Sequence, residues 1–313
     1  MSMTKCDGNL GGLWSVVLAG GEGTRMRAWI NASFGVSEPK QFCLLHGKRS
    51  MFQMTLDRAR QIAPDGTIVA VTIRDFEQIS KIQIGRRFVD LLVQPANRGT
   101  TGAIYFVLSH IMRCDPSARV VIFPSDHFVE PEATFVKLIQ GAMELSALIP
   151  DKLVLIGATP NRMETDYGYV LPGNTIASYG GNRLSSVVGF REKPPAREIS
   201  SIQKAGGLWS TFIIIGTVQA FFDAAATSIP KILDAFCHYQ PTIDGCQEKA
   251  ARVCLSQDFA PSDFSKDVLQ NVPHHLAMYQ LNNVHWSDWG RPERVVRSGI
   301  KMNFNNEPMH PNL

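Results

Sequence analysis

A glycine-rich turn followed by two cations is the part of this sequence best suited to chemistry. An apolar run at 15–19 leads into Gly-Gly-Glu-Gly-Thr-Arg at 20–25, and Pro-Lys-Gln-Phe follows at 39–42. Glycines let backbone N–H groups approach a phosphate without a Cβ in the way, and Arg25 and Lys40 can neutralise its charge. The loop is neither a Walker A sequence nor a dinucleotide-binding fingerprint. A plain strand-to-helix turn is the alternative interpretation.

Two aspartates are candidates for holding a divalent cation. Asp126 follows an apolar run at 119–123, and Asp288 lies in Trp-Ser-Asp-Trp-Gly at 286–290. An aspartate at the carboxyl edge of an α/β sheet, where ligands bind, can hold Mg²⁺ against a nucleotide phosphate. Two separated carboxylates often converge on one ion in phosphoryl chemistry. Asp126 could instead cap the next helix.

Short apolar runs alternate with amphipathic stretches in the first half of the chain, which predicts an α/β fold. Strands are predicted at 15–19, 67–72, 119–123 and 152–158, and helices at about 51–63, 101–112 and 133–148. The first of these helices begins with a capping-box sequence, Ser50 to Gln53. The resulting βαβαβαβ order is typical of a doubly wound nucleotide-binding half.

The pattern changes after residue 160, where glycines separate short β-like pieces. Strands are predicted at 186–190, 212–215 and 276–280, and helices at 218–225, 231–238 and from 292 onward. Pro292 suits the first turn of the last helix.

Composition excludes several classes of protein. Among 313 residues, 44% are hydrophobic and 19% charged, and 31 Lys+Arg against 28 Asp+Glu give a net charge of only +3. This balance argues against wrapping nucleic acid or binding a membrane surface. No apolar run approaches the ~20 residues of a membrane span, and residues 1–6 lack the apolar core of a signal peptide. The six cysteines show no zinc-site spacing. We therefore expect a cytoplasmic globular protein.

These motifs together resemble those of the sugar-1-phosphate nucleotidylyltransferases, over about residues 15–297. The loop at 20–25 is similar to their first signature and the segment at 39–42 to their second. Pro-Ser-Asp-His at 124–127 and Trp-Ser-Asp-Trp-Gly at 286–290 resemble the mannose-1-phosphate guanylyltransferase branch, as does the segment at 263–269.

The resemblance implies a Rossmann-like mixed sheet flanked by helices, of the nucleotide-diphospho-sugar transferase type, without a C-terminal β-helix. It implies a single nucleotidyltransferase domain over 1–313. A nucleotide-binding half would occupy about 14–160, and a sugar-phosphate-binding half about 161–313.

The reaction that the resemblance implies is Mg²⁺-dependent transfer of a guanylyl group from GTP to α-D-mannose 1-phosphate, giving GDP-mannose and pyrophosphate. One alternative is another nucleotide and hexose 1-phosphate pair. The other is a non-catalytic nucleotide-sugar sensor, which we expect to have lost Arg25, Lys40 or one of the two aspartates. The implied partners are the two substrates, with a homodimer as one option, and neither nucleic acid nor a membrane.

The resemblance also assigns roles to residues. Arg25 and Lys40 would hold the leaving pyrophosphate, Lys193 the attacking phosphate, and Mg²⁺ on Asp126 and Asp288 the α-phosphate. The implied nucleotide-binding residues are Leu18, Ala19, Gly20, Gly21, Gly23, Thr24, Gln94, Arg98, Gly99 and Thr100. The implied sugar-phosphate-binding residues are Tyr167, Gly168, Glu192, Lys193 and Ser210.

The sequence departs from the family pattern at three places. Ser210 stands where the family has an asparagine, and a single hydroxyl cannot make the same two-sided contact with a sugar. Thr101-Gly102 replaces the usual Ala-Pro, and His285 replaces a frequent aspartate. His127 is interpreted as structural.

Overall fold

Strands and helices alternate through the first half of the chain, as the sequence predicts. The structure, a computed structural model, describes residues 11–299. The strands within this range are β1 (Leu13–Leu18), β2 (Ile68–Ile73), β3 (Asp90–Gln94), β4 (Arg119–Pro124), β5 (Phe128–Glu130), β6 (Leu153–Ala158), β7 (Tyr169–Tyr179), β8 (Asn182–Arg191), β9 (Leu208–Thr217), β10 (Leu276–Leu281) and β11 (His285–Ser287). The helices are α1 (Thr24–Phe34), α2 (Met51–Ala59), α3 (Glu77–Ile84), α4 (Gly99–Cys114), α5 (Glu132–Ser146), α6 (Ala196–Lys204), α7 (Val218–Ser228), α8 (Pro230–Tyr239), α9 (Glu248–Leu255) and α10 (Pro292–Arg297).

Nine of the strands in residues 11–299 form one mixed sheet, in the order β3-β2-β1-β4-β9-β6-β10-β8-β7. The first four in this order are parallel to one another. β9 runs antiparallel between β4 and β6, and β10 lies parallel to β6. The predicted Rossmann-like mixed sheet is therefore confirmed. β9 lies between β4 and β6, so the fourth predicted strand is not the immediate neighbour of the third.

Alternate residues of the central strands face two different helical layers, because side chains of a strand point to opposite faces. Val16 and Val69 pack in the core that contains α4 and α7. Val17 and Ala70 pack in the core that contains α2 and α5. β2 is buried along its whole length, as expected for a parallel strand that is covered on both faces.

Helix α1, which carries part of the candidate site, was not predicted from the sequence. Gly23, whose φ of 59° is left-handed, immediately precedes this helix, and the helix buries Met26, Ile30 and Phe34 at helical spacing. The helix predicted to run to residue 63 ends at Ala59. The β-like pieces after residue 160 are two long strands, β7 and β8, whose register shifts interrupt the alternation that a sequence pattern needs. None of the helices described between residues 11 and 299 has the length and apolar character needed to cross a bilayer.

A buried carboxylate fixes the start of the sheet. Asp115, at the end of α4, accepts hydrogen bonds from the backbone N–H groups of Gly11 and Gly12 at 2.9 Å each. It also accepts from the backbone N–H of Ser117 at 3.2 Å. The side chain of Asp115 is buried, and it also accepts from the indole N–H of Trp14, which is buried as well.

We expect Asp115→Ala to lower the free energy of unfolding by about 3 kcal/mol, because the buried indole N–H of Trp14 and three backbone N–H groups would lose a charged acceptor. Asp65→Ala is the matched control, since Asp65 forms a 3.3 Å ion pair with Arg60 in which both side chains are well exposed. Asp65→Ala should lower the free energy of unfolding by less than about 1 kcal/mol. Urea denaturation of both variants measures the difference, and equal losses would contradict the role given to Asp115.

Candidate functional site

A cavity of about 300 Å³ opens at the carboxyl ends of β1 and β4. The predicted site residues that line it are Leu18, Gly21, Gly23, Arg25, Thr100, Asp126, Tyr167, Gly168, Glu192, Lys193, Ser210 and Asp288. The predicted residues outside its lining are Ala19, Gly20, Thr24, Lys40, Gln94, Arg98 and Gly99. The structure therefore brings residues from both predicted halves of the chain to one place.

The glycine-rich loop forms an anion-binding corner of this cavity. Gly23 precedes α1, and neither a capping side chain nor an acidic residue covers the first turn of that helix. The amide of Gln41 supports the loop by donating to the carbonyl of Gly21 at 2.7 Å. Uncapped backbone N–H groups at a helix N-terminus attract phosphate, and Arg25, in the first turn, is 57% exposed beside them.

Lys40 does not line the cavity, contrary to the expectation that it holds pyrophosphate. Its side chain is only 3% exposed, and Nζ lies 2.9 Å from Oδ2 of Asp126. The same ammonium donates to the main-chain carbonyl of Asp288. Lys40 is thus bound by the two segments that carry the candidate metal ligands, and it is not free to contact a phosphate in this arrangement.

Asp126 reaches the cavity from the end of β4. Burial raises the pKa of this carboxyl, but Lys40 and then His127 outweigh that effect, so that the pKa lies below its ordinary value. Asp126 is therefore ionised at neutral pH.

His127 belongs to the site, although the sequence analysis interpreted it as structural. Its Nδ1 accepts from the indole N–H of Trp286 at 3.3 Å, which assigns the ring proton to Nε2. That nitrogen lies 3.7 Å from Oδ1 of Asp126. Burial lowers the pKa of His127, so the ring is neutral at neutral pH and presents an N–H toward the carboxylate.

Asp288 is held in place by several donors. Its Oδ1 accepts from the hydroxyl of Tyr167 at 2.8 Å, from the backbone N–H of Gly290 at 2.9 Å and from Arg294 at 2.8 Å. A Cβ on Gly290 would lie 2.4 Å from Oδ2 of Asp288, so only glycine fits there. Burial raises the pKa of Asp288, but Lys40 and Arg294 outweigh it and lower the pKa to about 2.

Arg294 is a residue that the sequence analysis missed. Its side chain is 2% exposed, and besides Asp288 it pairs with Glu164 at 2.6 Å and with Asp166 at 2.9 Å. Its guanidinium also lies over the ring of Tyr167, 4.5 Å from the centroid. A buried arginine needs carboxylate partners, but the sequence could show only that acidic residues exist elsewhere, not which of them meet it.

The sugar-phosphate residues predicted from the sequence all line the cavity. Lys193 Nζ is 3.2 Å from Oε1 of Glu192, and a Cβ on Gly168 would lie 2.7 Å from Oε2 of Glu192. Burial raises the pKa of Glu192, against the opposing charge of Lys193. Ser210 donates its backbone N–H to the carbonyl of Gly168 at 2.8 Å. Asp263 and Ser265 also line the cavity and were not predicted as site residues.

The segment predicted to surround the base is largely occupied by contacts within the protein. Gln94 is buried behind Gly20, whose Cβ would lie 3.3 Å from the Gln94 amide nitrogen. Arg98 donates to the carbonyl of Ser256. Gly99 has a φ of 75°, and a Cβ there would lie 2.2 Å from the carbonyl oxygen of Ser262. Thr100 is the member of this group that reaches the cavity, so direct base contact by Gln94 is not observed.

Asp126 and Asp288 offer oxygen ligands of the kind that Mg²⁺ prefers. Within residues 11–299, no cluster of three or more His, Cys, Asp or Glu residues could hold a metal ion by itself. Mg²⁺ commonly keeps several waters and is bound by one or two carboxylates together with substrate phosphates. The two ionised aspartates on one cavity fit that mode of binding.

Comparisons with known proteins agree with this geometry. Residues 14–299 match the family model described as nucleotidyl transferase. Mannose-1-phosphate guanylyltransferase RfbM of Salmonella typhimurium is 28% identical over 295 residues, which are 88% of this chain and 56% of that protein. The alginate biosynthesis protein AlgA of Pseudomonas fluorescens is 28% identical over 225 residues, which are 70% of this chain and 44% of that protein. The chain thus spans about half the length of these curated relatives.

Solved structures show the same fold. The mannose-1-phosphate geranyltransferase from Thermus thermophilus superposes with a TM-score of 0.73 at 20% identity, over 89% of this chain and 76% of that one. A putative glucose-1-phosphate thymidylyltransferase from Bacillus anthracis superposes with a TM-score of 0.59 at 13% identity, over 91% of this chain and 93% of that one. Since the family model covers residues 14–299, this chain belongs to the nucleotidyl transferase family, and it is similar to mannose-1-phosphate guanylyltransferases.

Proposed function

We propose that this protein transfers a guanylyl group from GTP to α-D-mannose 1-phosphate, with release of pyrophosphate. One observation carries the proposal: a single cavity is lined by an anion-binding loop with Arg25, by Lys193 and by two ionised aspartates. Relatives named mannose-1-phosphate guanylyltransferase, in Salmonella typhimurium and Sinorhizobium fredii, support the choice of nucleotide and sugar.

The reaction requires that the two reactants be positioned and their charges neutralised, and it requires no general base. The phosphate oxygen of the sugar phosphate is already anionic, so it can attack the α-phosphorus directly. Its new bond forms as the bond from the α-phosphorus to the bridging oxygen breaks, and pyrophosphate leaves on the opposite side. Holding the two reactants in line and balancing their charges accounts for most of the acceleration in such reactions.

Two cations of the cavity lining suit the two phosphate groups. Arg25, beside the open N-terminus of α1, would hold the leaving pyrophosphate. Lys193 is 52% exposed and forms an ion pair with Glu192. Its exposed ammonium can turn to the phosphate of the sugar. Glu192, Ser210 and Asp263 would then receive the sugar hydroxyls.

The aspartates and Lys40 would act as one unit. Asp126 and Asp288 would hold Mg²⁺, which when bound supplies positive charge beside the α-phosphate. Lys40 lies behind them, and we assign it the role of fixing both segments and offsetting their negative charge. This replaces the expected contact between Lys40 and pyrophosphate. The cytoplasmic location and the homodimer stay predictions.

Replacing either aspartate tests the metal-binding unit. Asp126→Asn and Asp288→Asn should each lower kcat by at least about 10²-fold, because charge stabilisation at the α-phosphate is lost. Chelation with EDTA should inactivate the unaltered protein. Asp223→Asn, on α7, is the control that should keep full activity. Thermal unfolding shows whether the fold survives, and full turnover in EDTA would refute the two-carboxylate site.

Lys193→Ala tests the proposed contact between Lys193 and the sugar phosphate. The charge on the sugar phosphate is present before reaction. Removing the ammonium that pairs with it should therefore appear mainly as a higher KM for the sugar phosphate. A charge-assisted hydrogen bond of about 1.5–3 kcal/mol corresponds to a rise of about 10- to 100-fold. Lys204→Ala, at the exposed end of α6, is the matched control. An unchanged KM for the sugar phosphate would show that Lys193 has another role.

Substrate choice is tested by pyrophosphate release across four nucleoside triphosphates and several hexose 1-phosphates. Guanine presents two donors beside an acceptor, and a site that complements it leaves groups unpaired with ATP or UTP. We expect kcat/KM for GTP with mannose 1-phosphate to exceed that of the other nucleotides by at least about tenfold. Comparable values for GTP and UTP would favour another nucleotide and sugar pair, and tight binding without release would favour a sensor.

A further inference from the structure

Asp166 meets three arginines at the edge of the cavity, within the part of the chain that the structure describes. Its Oδ2 lies 2.6 Å from Arg291 Nε, 2.9 Å from Arg294 and 3.4 Å from Arg25. The carboxylate is 17% exposed and contributes to the cavity lining. Neither the proposed reaction nor the motifs from the sequence give this residue a task.

The three contacts are unequal in strength. Arg294 is buried and is also held by Glu164 and Asp288, so its position is fixed. Arg291 makes the shortest contact of the three. Arg25 makes the longest contact, and its side chain is the most exposed. An exposed ion pair of this kind is weak, and Asp166 would keep two cationic partners after losing it.

Arg25 lies in the first turn of α1. That turn contains no acidic residue, so the negative charge that Arg25 meets comes from Asp166, on a distant segment. Asp166 therefore stands where an anionic ligand of Arg25 would approach.

We propose that Asp166 is an internal competitor for Arg25. It pairs with Arg25 when no phosphate is bound, is displaced from it by the phosphates of the nucleotide or by pyrophosphate, and remains held by Arg291 and Arg294. This inference rests on the proposed function, in which Arg25 binds pyrophosphate. The consequence is weaker binding of pyrophosphate than Arg25 alone would give, and hence easier release of that product.

Titration calorimetry with inorganic pyrophosphate, at one fixed MgCl₂ concentration, tests the competition. Asp166→Asn should lower the Kd for pyrophosphate by about 3- to 5-fold, the range of an exposed ion pair. In the Arg25→Ala background the same change should give little or no gain, because no competition remains. The coupling between the two changes separates competition from general repulsion between carboxylate and pyrophosphate.

Two further variants complete the test. Glu22→Gln removes a carboxylate from the glycine-rich loop that contains Arg25. Glu22 accepts a hydrogen bond from Asn97. The variant measures the general repulsion between a nearby carboxylate and pyrophosphate. Arg291→Gln keeps Asp166 but removes one of its partners, so Asp166 should hold Arg25 more tightly and the Kd should rise about 2- to 3-fold. Because Arg291 is exposed, this variant addresses the competition even if Asp166→Asn folds poorly.

The outcomes are distinguishable. If Arg25→Ala alone leaves the Kd unchanged, the pyrophosphate role of Arg25 in the proposed function is wrong, and the competition fails with it. If Arg25→Ala weakens binding but Asp166→Asn gives the same gain in both backgrounds, or no more than Glu22→Gln, the competition is overturned and the proposed function stands.

Discussion

The ammonium of Lys40 is the interaction on which the site depends. A buried charge is tolerated only where partners compensate its desolvation, and here the partners are the carboxylate of Asp126 and the main-chain carbonyl of Asp288. Three segments that are far apart in sequence must therefore come together before this lysine is satisfied. The short ribbon of β5 and β11 supports that meeting, since β5 directly follows the segment of Asp126 and β11 directly precedes Asp288.

Charge balance is a second constraint that follows from the first. The cavity is lined by more carboxylates than cations, although the reactants it would take are anions. Arg294, from α10, reduces this excess by pairing with Glu164, Asp166 and Asp288 together. Because it is almost completely buried, it does so without offering a free cation to a phosphate. Arg25 and Lys193, which also line the cavity, keep exposed guanidinium and ammonium groups.

Local patterns in the sequence predicted the fold class, most central elements and part of the set of residues that line the cavity. The capping box at Ser50 is an example, since both of its hydrogen bonds form. The sequence could not show that Lys40 faces aspartates instead of phosphate, because burial depends on segments that are distant along the chain. It could not place Arg294 for the same reason. Gln94 was assigned to the base from its chemistry, but its position behind Gly20 is a matter of packing.

The insertion of β9 between β4 and β6 has a consequence for how the chain acquires its structure during synthesis. β1 to β4 can pair with one another as soon as they leave the ribosome, but the outer edge of β4 finds its partner only when β9 has been made. An apolar strand with an unpaired edge is a template for association with other chains. While α5, β6, β7 and β8 are being translated, β4 therefore has an unpaired edge that is prone to association. Chaperones would act on the nascent protein during this interval.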